Sequence, residues 1–134
     1  LNLEEKYYQK IPYENPKISI DNLKEDYFGK IFGTRSGDKG GCANLGVWAK
    51  SQEAYSFLFD FLTVKKLKEL LPDLEKFEID RFELPNIYSL NFYVHGILQD
   101  GVSSSTRMDG QAKSLGEYLR AKKINFPEQL LKQI

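Results

Sequence analysis

An α+β two-layer sandwich is predicted by three observations. Short runs rich in aromatic and β-branched residues come as two separated pairs, 28–34 with 45–50 and 77–84 with 90–98. Between the pairs runs a long apolar stripe at helical spacing, from Ala54 to Leu71. A shorter helical stripe, Ala112, Leu115, Tyr118 and Leu119, follows the last run.

Each element has a local cause. Phe28 to Thr34 reads as the first strand, and Leu45 to Lys50 as the second, with Leu45, Val47 and Ala49 alternating against Gly46, Trp48 and Lys50. Ser51 is a good N-cap, and Glu53 places negative charge in the first turn, where the helix dipole favours it. Phe57, Leu58, Phe61 and Leu62, then Val64, Leu67 and Leu70, hold the stripe until Pro72. Thr63 is a second capping residue, so one kinked helix and two consecutive helices both satisfy the pattern.

Phe77 to Leu84 is the third predicted strand. Phe77 and Ile79 fall on one face and Phe82 and Leu84 on the other, which a bulge or a stretch covered on both sides would explain. Pro85-Asn86 marks a turn. The fourth strand puts Leu90, Phe92, Val94 and Leu98 on one face and Asn91, Tyr93 and His95 on the other. Asp109 caps the last helix, whose Ala112, Leu115, Tyr118 and Leu119 should point inward, with Lys122 and Lys123 at its C-terminal end. Pro127 should begin a short tail.

The order is ββαββα, which is the ferredoxin-like order with its last strand moved to the front. A four-stranded antiparallel sheet is expected, in the order first, second, fourth, third, with two helices on one face. This domain should occupy residues 27–134. Residues 1–26, with Tyr7, Tyr8 and Tyr13 among charges and prolines at 12 and 16, read as an arm or linker with one helical turn around Leu3 to Gln9.

Composition excludes several classes. Lysine plus arginine equal aspartate plus glutamate at 19 each, so no global field attracts nucleic acid or an anionic membrane. One cysteine, Cys42, and one histidine, His95, rule out an internal disulfide framework and a multi-cysteine or multi-histidine metal site. No metal and no cofactor are expected. No run has the length of a membrane span and none reads as a signal peptide, so a cytoplasmic protein is expected. The chain begins at Leu1, which leaves free-standing and excised forms both open.

The candidate site centres on Gly33 to Asn44. Arg35, Ser36, Gly37, Asp38, Lys39, Gly40 and Asn44 combine both signs of charge with a glycine-rich backbone, a binding-loop composition longer than the roughly two to five residues a hairpin needs. A plain hairpin connection is the alternative. If the second and fourth strands are neighbours, the 35–44 loop faces the 99–108 loop, bringing Ser103, Ser105 and Arg107 and the N-terminus of the last helix alongside. Arginines, Lys39, hydroxyls and free helix N–H groups then suit a phosphate, a carboxylate or an acyl-thioester oxygen. Internal pairing of those cations with Asp38, Asp100 and Asp109 is the competing arrangement.

Cys42 and His95 are not expected to meet, because His95 sits mid-strand, about two residue pairs from that edge. The glycine loop leads into a strand and lacks nucleotide-binding spacing. Trp48, Asn91, Tyr93 and His95 fall on the sheet face away from the helices. Balanced charge speaks against base stacking there, and homo-oligomerisation or docking to a larger subunit is expected.

Arg35-Ser36-Gly37-Asp38-Lys39-Gly40, Ala43-Asn44-Leu45-Gly46-Val47, Phe61-Leu62-Thr63, Glu83-Leu84-Pro85-Asn86, Leu90-Asn91-Phe92 and Gln111 to Leu119 carry a family resemblance. From about Ile31 to its end, the chain resembles the small ferredoxin-fold domain at the C-terminus of acyclic terpene utilisation proteins of the AtuA type, which also occurs free-standing. The large N-terminal domain of those proteins has no counterpart here. The resemblance implies an association with branched acyl-CoA catabolism.

Two functional expectations follow. One is a non-catalytic accessory or interaction domain that binds an anion or acyl-CoA-type ligand between the 35–44 and 99–109 loops. The other is a small acyl-thioester enzyme with Asp38 or Asp109 as acid/base and Arg35 and Lys39 holding the ligand, which requires a carboxylate in a cleft.

Overall fold

Phe28, Ile31 and Phe32 are spaced three and four residues apart, which is helical spacing. In the computed structural model, which describes residues 22–39, 41–96 and 114–132, they open the domain with a single helical turn, α1 (Phe28–Ile31). All three side chains are buried, with the Phe28 and Phe32 rings 4.8 Å apart. The strand expected over 28–34 is therefore corrected. Strand geometry would have put Ile31 on the face opposite the two rings, whereas one helical turn buries all three.

The main sheet comprises β2 (Gly33–Lys39), β3 (Cys42–Trp48), β4 (Ile79–Leu84) and β5 (Ser89–Val94), in the order β2-β3-β5-β4 and antiparallel throughout. That is the expected first, second, fourth, third. β2 and β3 run through the stretch expected as a loop. Their ladder closes at Lys39↔Cys42, leaving a tight turn through Gly41, whose φ of 90° suits a residue without a Cβ. β2 is an edge strand, and edge strands tolerate the polar residues that had suggested a loop.

β4 pairs with β5 without interruption from Ile79↔Val94 to Leu84↔Ser89, which removes the bulge and leaves the other expected cause, a stretch covered on both sides. Ile79 faces the core, and Phe82 and Leu84 are half-buried on the opposite face, where the Phe82 ring meets Tyr93 edge-on at 5.2 Å.

Two consecutive helices, α2 (Gln52–Phe61) and α3 (Val64–Leu70), cross between β3 and β4. Both expected caps are made: Ala54 N–H donates to Ser51 Oγ and Lys66 N–H to Thr63 Oγ1, each at 3.1 Å. Such caps are worth ~1 kcal/mol each. A further helix, α4, covers 114–120. Ala43, Leu45, Val47, Leu90, Phe92 and Val94 share one sheet face and join a single core with Leu58 and Leu62 of α2, Leu67 of α3 and Leu115 and Leu119 of α4. Tyr118, expected inward, is 51% exposed, because the 115/119 stripe alone faces the sheet.

A second, two-stranded sheet flanks the first. β1 (Leu23–Tyr27) pairs antiparallel with β6 (Lys123–Pro127), followed by the short α5 (Glu128–Leu131). Residues 23–26, expected at the end of an arm, are thus strand, and so are Lys123 and Pro127, expected as a helix end and the start of a tail. Phe126 of β6 packs 6.0 Å from Phe32 and 5.8 Å from Phe57, which joins this ribbon to the main core. The helical turn expected around Leu3 to Gln9, the cap at Asp109, Ala112, Leu98 and the 99–108 loop lie outside the described residues.

Candidate functional site

Because β2 and β3 are strands where a loop was expected, successive residues point to opposite faces. Cross-strand pairing then assigns each one. Thr34↔Val47, Ser36↔Leu45 and Asp38↔Ala43 share the helix-covered face with the buried Val47, Leu45 and Ala43. Arg35↔Gly46 and Gly37↔Asn44 share the open face. Of the residues expected to line one notch, the pleat therefore places Arg35, Gly37 and Asn44 on the open face and Ser36 and Asp38 on the helix-covered one.

On the helix side, the hydroxyls serve structure. Thr34 Oγ1 donates to the Gly116 carbonyl at 3.0 Å, and the Gly116 N–H donates to Ser36 Oγ at 3.2 Å. Together they clamp the edge strand to α4. Asp38 is exposed, so it lacks the enclosure that an acid/base role demands. Gly40, the side chain of Lys39, and Ser103, Ser105, Arg107 and Asp109 lie outside the described residues.

On the open face, three rows run across the sheet. The first is Arg35, Gly46, Asn91 and Phe82, and the second is Gly37, Asn44, Tyr93 and Asp80. Asn44 Nδ2 donates to Asn91 Oδ1 at 2.5 Å, linking the two rows diagonally. A Cβ at Gly37 would meet nothing within 4 Å, and one at Gly46 only the Arg35 carbonyl oxygen at 3.7 Å. These glycines therefore floor a shallow trough of about 380 Å³, with Arg35, Trp48 and Ile87 among its walls. Trp48 and Ile87 are 39% and 64% exposed. Among the described residues, no carboxylate lies within ion-pair reach of Arg35.

The third row lies beyond Ala43↔Val94 and joins Cys42 to His95. His95 continues the β4/β5 ladder, its N–H donating to the Glu78 carbonyl at 2.8 Å. Cys42 Sγ stands 3.7 Å from His95 Nδ1, and His95 Nε2 stands 2.6 Å from Asp80 Oδ2. The expectation that Cys42 and His95 stay apart is overturned. β3 starts at Cys42, three residues earlier than expected, and β5 ends at Val94, so both side chains reach the same rim. The Gly40-Gly41 dipeptide was the available signal, since a two-residue turn sets this register. Nothing in the sequence marked Asp80.

A family model described as the AtuA ferredoxin-like domain matches residues 28–125. The chain belongs to the AtuA ferredoxin-like domain family. No curated protein and no solved structure matches it. The match to the AtuA ferredoxin-like domain spans the whole main sheet, α2, α3 and both open-face clusters, and starts after β1. Among the described residues of this domain, no group of three or more His, Cys, Asp or Glu side chains is placed to hold a metal ion. No helix among them is long and apolar enough to cross a membrane.

Proposed function

We propose that the chain acts as an accessory domain whose open sheet face binds an anionic ligand of acyl-CoA type, in the setting of branched acyl-CoA or terpenoid catabolism that the family resemblance suggests. The observation that carries this reading is Arg35, an exposed guanidinium at the wall of a glycine-floored trough with no carboxylate partner among the described residues. A guanidinium offers forked, charge-assisted donors to a phosphate or carboxylate. The Asn44–Asn91 pair adds amide groups beside it, and Trp48 and Ile87 supply apolar surface for an acyl chain. Arg107 is the second cation of this reading.

Calorimetric titration with CoA, short acyl-CoA esters and inorganic phosphate tests it. Binding by the native chain is expected, with Arg35→Ala weakening it about tenfold or more. Absence of heat from every ligand would overturn the reading. Exposed Trp48 and Ile87 on the same face support a second one, self-association or docking to a larger subunit, which sedimentation over a concentration series would reveal.

A further inference from the structure

The site at Cys42 is separate from Arg35 in chemistry and rests on different atoms. We infer that Cys42 is a nucleophilic thiol, with His95 as its base and Asp80 as the group that orients the imidazole, and that it accepts an acyl group from a thioester.

The geometry is that of an activated nucleophile: a thiol against a base, and the base against a third group that holds it. Cys42 Sγ to His95 Nδ1 is 3.7 Å, within the range of a sulfur hydrogen bond, and His95 Nε2 to Asp80 Oδ2 is 2.6 Å. A carboxylate only accepts, so Asp80 holds the ring proton on Nε2 and leaves the Nδ1 lone pair facing the thiol. Transfer of the thiol proton to Nδ1 makes a thiolate beside an imidazolium, and Asp80 offsets the new positive charge.

All three positions are set by the sheet ladder. Asp80 pairs with Tyr93, one row from His95, so the imidazole reaches it diagonally. Cys42 follows from the closing pair Lys39↔Cys42. Sites built on strands hold their groups more firmly than sites on loops. A shared metal ion does not fit, because Nδ1 and Nε2 face opposite ways across the ring and are each already committed to a different neighbour.

The site is also reachable. The His95 and Asp80 side chains are 42% and 48% exposed, and Cys42 is half-buried. Cys42 is the single cysteine of the chain, so no internal disulfide can consume it. Along β3 it lies two residues from Asn44 on the same face, about 7 Å away. An acyl group on Cys42 would therefore lie next to the trough.

A thioester donor suits the proton inventory. The thiolate sulfur attacks the carbonyl carbon and forms a new S–C bond. The tetrahedral adduct collapses with cleavage of the original C–S bond, and the departing sulfur takes the proton that Nδ1 received. One thioester and one thiol give one thioester and one thiol. No water, oxidant or metal enters, and attacking and leaving groups are alike, so one base returning one proton is sufficient. The product is a stoichiometric acyl-enzyme, in keeping with an accessory role.

The test incubates the full chain with the acetyl thioester of N-acetylcysteamine and reads intact mass. This probe is uncharged, so its outcome is independent of anion binding at Arg35. One acetyl group per chain is expected, on Cys42, and none in Cys42→Ser. His95→Gln should slow acylation at neutral pH about a hundredfold. Asp80→Asn should also slow it and alter its pH profile. If either variant fails to fold by circular dichroism, the native chain still decides through its rate of iodoacetamide alkylation at neutral pH, which should exceed that of free cysteine. Native acylation no faster than that of free cysteine, or equal in His95→Gln at every pH, would overturn the inference. Release of more than one equivalent of free acetate per chain would overturn the acceptor role in favour of hydrolysis.

Discussion

The Arg81 guanidinium donates from Nη1 to the Leu62 carbonyl at 2.9 Å, tying edge strand β4 to the C-terminal end of α2. Pairing with the buried Phe92 puts Arg81 on the helix side of the sheet. Its Nη2 donates to the Phe59 carbonyl at 2.8 Å and meets Glu83 Oε2 at 3.3 Å, while the guanidinium lies 4.9 Å over the Phe59 ring. The last carbonyls of a helix have no partner within it and carry its negative dipole end, so a cation there supplies both donors and charge. Burial pushes the guanidinium below the usual arginine range, with Glu83 opposing. Arg81→Ala should destabilise the domain by ~2–4 kcal/mol, since it removes two charge-assisted bonds and exposes the end of α2. Arg81→Lys should recover less than half, because a single ammonium nitrogen lacks the planar fork that reaches the two carbonyls from Nη1 and Nη2. Urea unfolding measures both, and a loss below ~1 kcal/mol for Arg81→Ala would show that water replaces the guanidinium.

Gly116 lets α4 approach β2. A Cβ there would stand 2.8 Å from Thr34 Oγ1 and 3.5 Å from Ser36 Oγ. An alanine in a helix gains ~1 kcal/mol over glycine, but here the added carbon would push apart a clamp made of two hydrogen bonds. Gly116→Ala should cost ~1–3 kcal/mol net, with Thr34→Ala partly relieving it in the double variant. Additive losses in thermal unfolding would refute the coupling.

Trp48 lies across Gly33. A Cβ on Gly33 would come within 2.2 Å of Trp48 Cε2, and the half-exposed indole can swing away where the backbone cannot. Gly33→Ala should therefore shift the fluorescence of the chain's single tryptophan to the red and cost ~1 kcal/mol. An unchanged emission maximum would mean that the indole does not rest on Gly33.

Asp26 sets an acid dependence. The Tyr27 N–H donates to its Oδ1 at 2.8 Å and Lys30 approaches its Oδ2 at 3.1 Å, which together lower its carboxyl below the usual aspartate range. A carboxyl lowered in the folded state contributes stability above its unfolded pKa and loses it as pH falls through the folded value. The decline below about pH 4 should thus be shallower in Asp26→Asn than in the native chain. Carbon-detected NMR titration reads the carboxyl directly, and a midpoint at or above the ordinary aspartate value would contradict this.

Local signals were read directly from the chain. Ser51 and Thr63 cap two helices, Pro72 ends the stripe, and alternating Leu90, Phe92 and Val94 mark a central strand, because caps and periodicities act within a few residues. The sheet order β2-β3-β5-β4 was legible for the same reason, since few topologies accommodate those elements. Tertiary structure decided the rest. Polar β2 became an edge strand only because β3 and α4 were there to bond it, and β1 found its partner nearly a whole chain away in β6. Cys42, His95 and Asp80 come together through a register across three strands, and one residue of slip would send each side chain to the other face. That register is a property of the packed sheet, and no stretch of the sequence states it alone.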